Sequence, residues 1–374
     1  MENNNSVAYI ARIESINPIE GADKIELAKV QGWTSIVQKD IHKVGDLILC
    51  ITTDAVIPEE LATKWGVINY LRKGNRVRTV KLKGVYSECV LIPWEPKGET
   101  YKEGEDLMNE LGVYKYEPPV IEERLPNGKK VRFSQNPNFH IYYKFPNQKN
   151  VPNMFNEEDD VVITRKIHGT NARYGIVQKT KLTIWDKIKR LFGNKWIEYE
   201  FVYDSHNVQK APDSKGYYNE NVWHTILKKY DIENKLWKSF KNNHINSNSS
   251  FKNLIIYGEI FGPGIQGDKY SYNLKDKEIR FFDIEINGIY QNEIVKESFF
   301  IDILRLPIIE KLYEGKWSKE IQDKFVLNNY IEGTNIPDEG IVVSCPTGDR
   351  QKISKVINPE YLTFSEKHLV PDSH

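Results

Sequence analysis

From Val7 to about Pro96 the chain reads as short apolar or alternating runs, VAYIARI, IELAKV, SIVQ, LILCIT, VRTVKLKGV and CVLIP, interrupted by Gly, Pro and Asp. Alternation with a period of two is the signature of strands, and strands this short and closely spaced cannot bury a face singly. The pattern therefore predicts a small β-barrel, in which closure removes the unpaired edges.

Charge adds a second constraint. Lys+Arg and Asp+Glu are equal at 52 each, so the whole molecule exerts no net pull on polyanions, and a nucleic-acid surface has to come from local segregation. Such segregation occurs between Trp65 and Gly84, where Arg72, Lys73, Arg76, Arg78, Lys81 and Lys83 stand among Trp65 and Tyr70 without an acidic residue. A solvated strand face is one reading. Basic groups beside aromatics on a barrel are also how OB-folds hold nucleic-acid strands.

Residues 98–154 are rich in Pro, Asn, Glu and Lys with little periodicity and read as a connecting segment. From 155 onward, strand patterns return with helical stretches such as NENVWHTILKKYDIENKLWKSF, giving a larger α+β domain. The segment TKLTIWDKIKRLFGNKWIEYEF, spanning the insertion near 178–200, reads as an amphipathic helix between strands; packing on the domain is expected ahead of a membrane-surface role. Three scattered cysteines, Cys50, Cys89 and Cys345, lack the spacing of a zinc site or a disulfide framework and suit a reducing interior. The opening MENNNSVAYIARIE carries no signal-like pattern, and no apolar stretch approaches the roughly 18 residues of a membrane span. A soluble, cytoplasmic protein without membrane attachment is the expectation.

Within the second domain, VVITRKIHGTNARYG places Lys166 directly after an apolar strand pattern. Alone, K-x-x-G is a turn with a solvated lysine. Four stretches follow in order: IIYGEIFGPGIQG (255–267), IRFFDIEINGIY (279–290, with Asn287-Gly288 as a hairpin turn), DEGIVVSC (338–345) and QKISKVIN (351–358). Together with KIHGTN they resemble the motif series of covalent nucleotidyltransferases. KIHGTN and YGEIFGPG are closest in kind to ATP-dependent RNA ligases, and PIEGADKIELAKVQGW, VGDLILCI, IPEE and KLKGVYSECVLIP resemble the N-terminal OB domain of the Deinococcus-type RNA ligases.

That resemblance implies an OB-like barrel at 1–97, a connection at 98–154 and a nucleotidyltransferase domain at 155–374 built on antiparallel sheets with flanking helices. It implies Lys166 as nucleophile on the α-phosphorus of ATP, passing AMP to a 5′-phosphate before a 3′-OH displaces it. An ordinary lysine is a free amine in about one molecule in a few thousand at neutral pH, so Lys166 needs a metal or neighbouring cations such as Lys352 and Lys355 to tune it. The same resemblance assigns Glu259 to the ribose, Phe282 to the adenine face, Glu339 and Glu259 to Mg2+ or Mn2+, and His168, Gly169, Thr170 and Asn171 to the phosphate and ribose edge. Asp283 would support Phe282 and the metal shell.

The chain departs from the family at three places: Arg165 precedes the nucleophile where relatives usually have glutamate, Ser205 and His206 in DSHNVQ stand where an arginine is usual, and KISK spaces its lysines by three. The resemblance implies RNA as partner, in nicked duplexes or RNA-containing hybrids. A GTP-using capping transferase and a non-catalytic RNA-binding module are the alternatives; domain order opposes the first, and retention of Lys166, Glu259, Glu339 and Lys355 the second.

Overall fold

The computed structural model describes residues 6–94, 101–116, 136–191, 198–204, 221–242, 251–267 and 269–368. By internal contacts the chain divides into two units, one of Met1–Pro119, Pro146–Asn156 and Ser354–Lys367, the other of Val120–Phe145, Glu157–Ile353 and His368–His374. No helix among the described residues is long and apolar enough to cross a membrane.

In the first unit the strands are β1 (Ala8–Arg12), β2 (Ser15–Pro18), β3 (Ile25–Val30), β4 (Trp33–Gln38), β5 (Leu47–Thr52), β6 (Ala55–Val56), β7 (Val80–Leu82), β8 (Val85–Ser87), β9 (Cys89–Ile92) and β10 (Tyr114–Lys115). They form a β1-β5-β9 sheet, a β2-β3-β4 meander and the pairs β6-β10 and β7-β8. Links from β4 to the β8–β9 segment join the meander to the first sheet: the Glu88 N–H donates to Thr34 O at 2.7 Å and Ser35 Oγ to Cys89 O at 2.8 Å. The stretches Ala8–Ala11 of β1 and Ile48–Ile51 of β5 are continuously apolar because both faces there are covered. Ala8, Ile10, Leu49 and Ile51 enter one core cluster, and Tyr9, Ala11, Ile48 and Cys50 the other.

The second unit holds β11 (Asp160–Lys166), β12 (Thr170–Gln178), β13 (Tyr199–Asp204), β14 (Asn253–Phe261), β15 (Glu278–Ile286), β16 (Ile289–Tyr290), β17 (Lys311–Lys316) and β18 (Gly340–Ser344); the division between units falls within β19 (Ile353–Ile357). A five-stranded antiparallel sheet has the order β13-β12-β14-β15-β16. In a second sheet β11 lies antiparallel between β17 and β18. The Asn287-Gly288 turn forms as its sequence predicts, with φ of 54° and 80°, closing the Ile286–Ile289 pair. The long helical stretch breaks at Tyr230-Asp231 into helices Val222–Lys229 and Ile232–Asn242, Asp231 adopting φ 52°. Both helices cover one face of the five-stranded sheet through Trp223, Ile226, Leu236 and Phe240.

The described parts of the 98–154 segment contribute to both cores. Leu107 and Val113 are buried in the barrel unit, and Phe139 and Tyr142 in the other. The amphipathic helix of the insertion spans Ile184–Leu191, but the packing expected of it is not what its side chains show: Ile184, Trp185 and Leu191 are 76%, 72% and 85% exposed.

Candidate active site

Lys166 is the last residue of β11 and pairs in register with Gly340, the first of β18. That register brings Glu339 beside it, and Lys166 Nζ donates to Glu339 Oε1 at 2.6 Å. Glu339 is fully buried and the Lys166 side chain is 20% exposed, so the buried carboxylate depends on the lysine for compensation. Successive strand residues face opposite ways, so Arg165 leaves on the other side, binding Asp338 at 2.6 Å and Glu310 at 2.8 Å. Arg165 thus has a local structural task, holding the segment that leads into Glu339.

The turn after Lys166 is packed tightly. His168 is fully buried, its ring edge-on to Tyr270 with centroids 4.7 Å apart, and its backbone N–H donates to the Tyr272 hydroxyl at 2.7 Å. Burial first, and then the Lys166 charge, push the imidazole down to about 3 against a hydrogen bond with the Gln266 backbone, so the ring is neutral. Gly169 is required here by a neighbouring strand: a Cβ would lie 2.3 Å from Ile260 O and 2.9 Å from Glu259 Cγ. Thr170, half-buried, opens β12, and Asn171 stands opposite Glu259 across the β12–β14 ladder. Asn171 uses its carbonyl for Trp223 Nε1 at 3.0 Å, while its buried Oδ1 has no protein partner. The Glu259 carboxyl is raised to about 8, chiefly by burial, with the Lys166 charge opposing and Glu339 reinforcing.

Phe282 and Asp283 sit at a bulge. Tyr257 pairs with Asp283 and Gly258 with Phe281, leaving Phe282 the extra residue. Phe281, Ile279 and Ile284 point into the helix-covered core, whereas Phe282 lies on the other face beside Tyr142, 5.1 Å between centroids. Strict alternation would send Asp283 to the side of Phe281; the bulge returns it to the side of Phe282. There it accepts from Tyr142 Oη at 2.8 Å and from both terminal nitrogens of Arg350 at 2.7 and 3.0 Å. Asp283 is therefore committed to Arg350 and Tyr142 in this arrangement.

Lys352 forms an ion pair with Asp159. Lys355 lies in β19, where its backbone N–H donates to Pro146 O at 3.0 Å within the first unit. Ser205 and His206 lie outside the described residues. Sequence reasoning missed Arg350, Asp338, Tyr270 and Tyr272. Only a Tyr-x-Tyr after YGEIFGPGIQG hinted at the last two, and nothing local to Arg350 pointed to Asp283.

The basic stretch of the first unit is less uniform than its sequence suggests. Arg76 pairs with Asp54, lies 4.2 Å from the Tyr116 ring centroid and has a side chain only 12% exposed. Arg78 donates to Tyr70 O at 3.1 Å, and the Arg72 N–H donates to Arg76 O at 2.8 Å. Lys81 meets Glu360 at 3.5 Å, whereas Lys73 and Lys83 extend into solvent.

A buried carboxylate paired with a lysine at the end of a strand is a chemically unusual arrangement, and comparison with known proteins shows which family it belongs to. Residues 7–94 match the OB-fold domain family and residues 159–357, more than half of the chain, match the RNA ligase family. The chain belongs to the RNA ligase family. No curated protein matches it. Among solved structures it is similar to a Naegleria gruberi RNA ligase mutant with AMP and Mn (TM-score 0.72, 21% identity, 98% of this chain and 100% of that one). A mutant of that ligase with ATP and Mn gives a TM-score of 0.71 at 21% identity, with 98% and 100% covered. The same ligase with PPi gives 0.69 at 21%, with 98% and 99% covered. At this identity the likeness speaks for the fold.

Proposed function

We propose that the chain is an ATP-dependent RNA ligase of the Deinococcus-type branch, sealing 3′-OH/5′-phosphate breaks at nicks in RNA duplexes or RNA-containing hybrids. The observation that carries this reading is the Lys166–Glu339 pair at 2.6 Å, whose charges act on Glu259 across the ladder from Asn171, in a chain of the RNA ligase family. The neutral Lys166 amine attacks the α-phosphorus of ATP; a P–N bond forms, the bond to pyrophosphate breaks, and the Nζ proton leaves. AMP then passes to the RNA 5′-phosphate, and the 3′-OH displaces it. Placing the groups in line and neutralising charge supply the rate.

Half-buried Glu259 and fully buried Glu339 are hard oxygen donors whose mutual repulsion a cation relieves, and they suit Mg2+ or Mn2+ completed by substrate phosphates. Bound there, the metal would supply charge neutralisation at the phosphates and favour the free amine of Lys166. Phe282, half-buried on the face of β15 away from the helix-covered core, takes the adenine; Thr170, Asn171 and Glu259 take the ribose edge; Lys355 and, after release from Asp159, Lys352 take the phosphates. The first unit holds RNA through its exposed lysines, in a reducing, intracellular setting.

The OB match precedes the ligase match, opposing a capping transferase. The test is incubation of the full chain with α-labelled ATP or GTP and Mg2+, followed by denaturing electrophoresis. Covalent label from ATP alone supports the reading; label from GTP, or none, removes it.

A further inference from the structure

The loop between β14 and β15 puts two tyrosines, two residues apart, onto the two segments that carry the catalytic pair. Tyr272 is half-buried, packed edge-on against Phe261 (centroids 5.0 Å), and its hydroxyl accepts from the His168 N–H at 2.7 Å, two residues past Lys166. Tyr270 packs edge-on to the His168 ring, and its hydroxyl donates to Pro337 O at 3.0 Å, two residues before Glu339. Tyr272 also has φ of 55°, with Asn273 at 55°. A bulky side chain stays in that left-handed region only when its surroundings hold it there.

We infer that Tyr270 and Tyr272 are positioning residues for the nucleophile, a clamp that sets the Lys166 turn against the Pro337–Glu339 segment. The inference rests on the proposed ligase reading. Strand pairing fixes Lys166 opposite Gly340, but it does not fix the turn at 167–169 or the approach at 337–338, and these decide where Nζ and the carboxylate lie. The clamp does so with uncharged groups. Neutral His168 serves as the surface on which Tyr270 packs, with its backbone N–H as the donor to Tyr272. Neither tyrosine need touch ATP or RNA.

The test compares the full-length wild type with Tyr270→Phe and Tyr272→Phe, which delete single hydroxyls. Tyr313→Phe is the control, since the Tyr313 hydroxyl donates to Lys316 O at 2.8 Å on another edge of the same unit. Three quantities are read: the rate of lysyl-AMP formation at saturating ATP, the fraction of protein labelled at long times, and the half-saturating ATP concentration. Misplacing a reacting group by ångström fractions predicts a rate lower by about tenfold to a hundredfold in either clamp variant, with final labelling and half-saturation within about twofold of wild type. The control should match wild type. An unchanged rate overturns the inference, and so does a fall in final labelling at unchanged rate, which marks a merely structural loss of folded protein. A shift confined to half-saturating ATP overturns it in favour of direct nucleotide contact. Wild type that takes no label defeats the ligase reading itself, a result separable from these because the variants are then never distinguished.

Discussion

The two units treat charge in opposite ways. In the barrel unit the strand cores are nearly free of ionic groups; pairs such as Arg12–Glu103, whose side chains are 48% and 45% exposed, lie outward, and the more sheltered Arg76–Asp54 and Lys149–Glu88 pairs stand outside the apolar clusters. In the second unit charges lie inside: Arg173 and Asp204 are both 0% exposed at 2.8 Å, Lys166 meets buried Glu339, Arg165 meets buried Asp338, and Asp283 meets Arg350. Buried pairs seldom add net stability over well-packed apolar residues, and losing one partner strands the other. Two of these pairs, Lys166–Glu339 and Arg165–Asp338, start from adjacent residues of β11. The basic stretch of the barrel is partly consumed in holding its own loop.

The sharpest break of this contrast is Lys166→Ala, which should abolish self-adenylylation while still joining a strand that already carries 5′-AMP; persistent protein label would remove the nucleophile assignment. Next in size, Arg173→Met should destabilise by about 3–5 kcal/mol by removing the cation that faces fully buried Asp204, whereas Arg12→Ala should cost about 0–1 kcal/mol. Equal losses in denaturant melts would dissolve the distinction between the units.

Phe281→Ala should cost about 3–5 kcal/mol of stability as a core truncation. Phe282→Ala should spare the fold and weaken ATP use by about 1–3 kcal/mol. If Phe281→Ala in folded protein selectively impaired ATP use and Phe282→Ala did not, the base would lie on the other face.

A pH effect follows from His168. Its folded value, about 3, lies below the ordinary 6.5, so the unfolded chain binds the proton more readily. The contribution is fully present above about pH 6.5 and is lost as pH falls toward 3. Melting temperatures of His168→Gln should therefore decline less steeply through that window than those of wild type.

The smallest effects belong to the barrel surface. Lys73→Glu with Lys83→Glu should leave melting unchanged and weaken RNA sealing modestly, more at physiological than at low salt. Arg76→Glu should instead lower the barrel's stability, because Asp54 loses its partner; a purely RNA-binding defect there would restore the reading of one continuous basic patch.

The sequence by itself determined the elements whose cause is local. Alternating runs specified the barrel strands, Asn287-Gly288 its hairpin, and KIHGTN, YGE, FFD and DEG the residue types that nucleotidyl transfer uses. The placement of Phe281 and Phe282 on opposite faces was legible from the two-residue period. Only the tertiary structure decided which groups meet. Lys166 and Glu339 are 173 residues apart, as are Arg165 and Asp338, and their pairing follows from the β11–β18 register. Likewise the bulge turns Asp283 toward Arg350, Asp54 claims Arg76, and Tyr270 and Tyr272 reach His168 in the turn after Lys166. Period and propensity report a residue's neighbours along the chain, whereas ion pairing and burial depend on partners that only folding brings within reach.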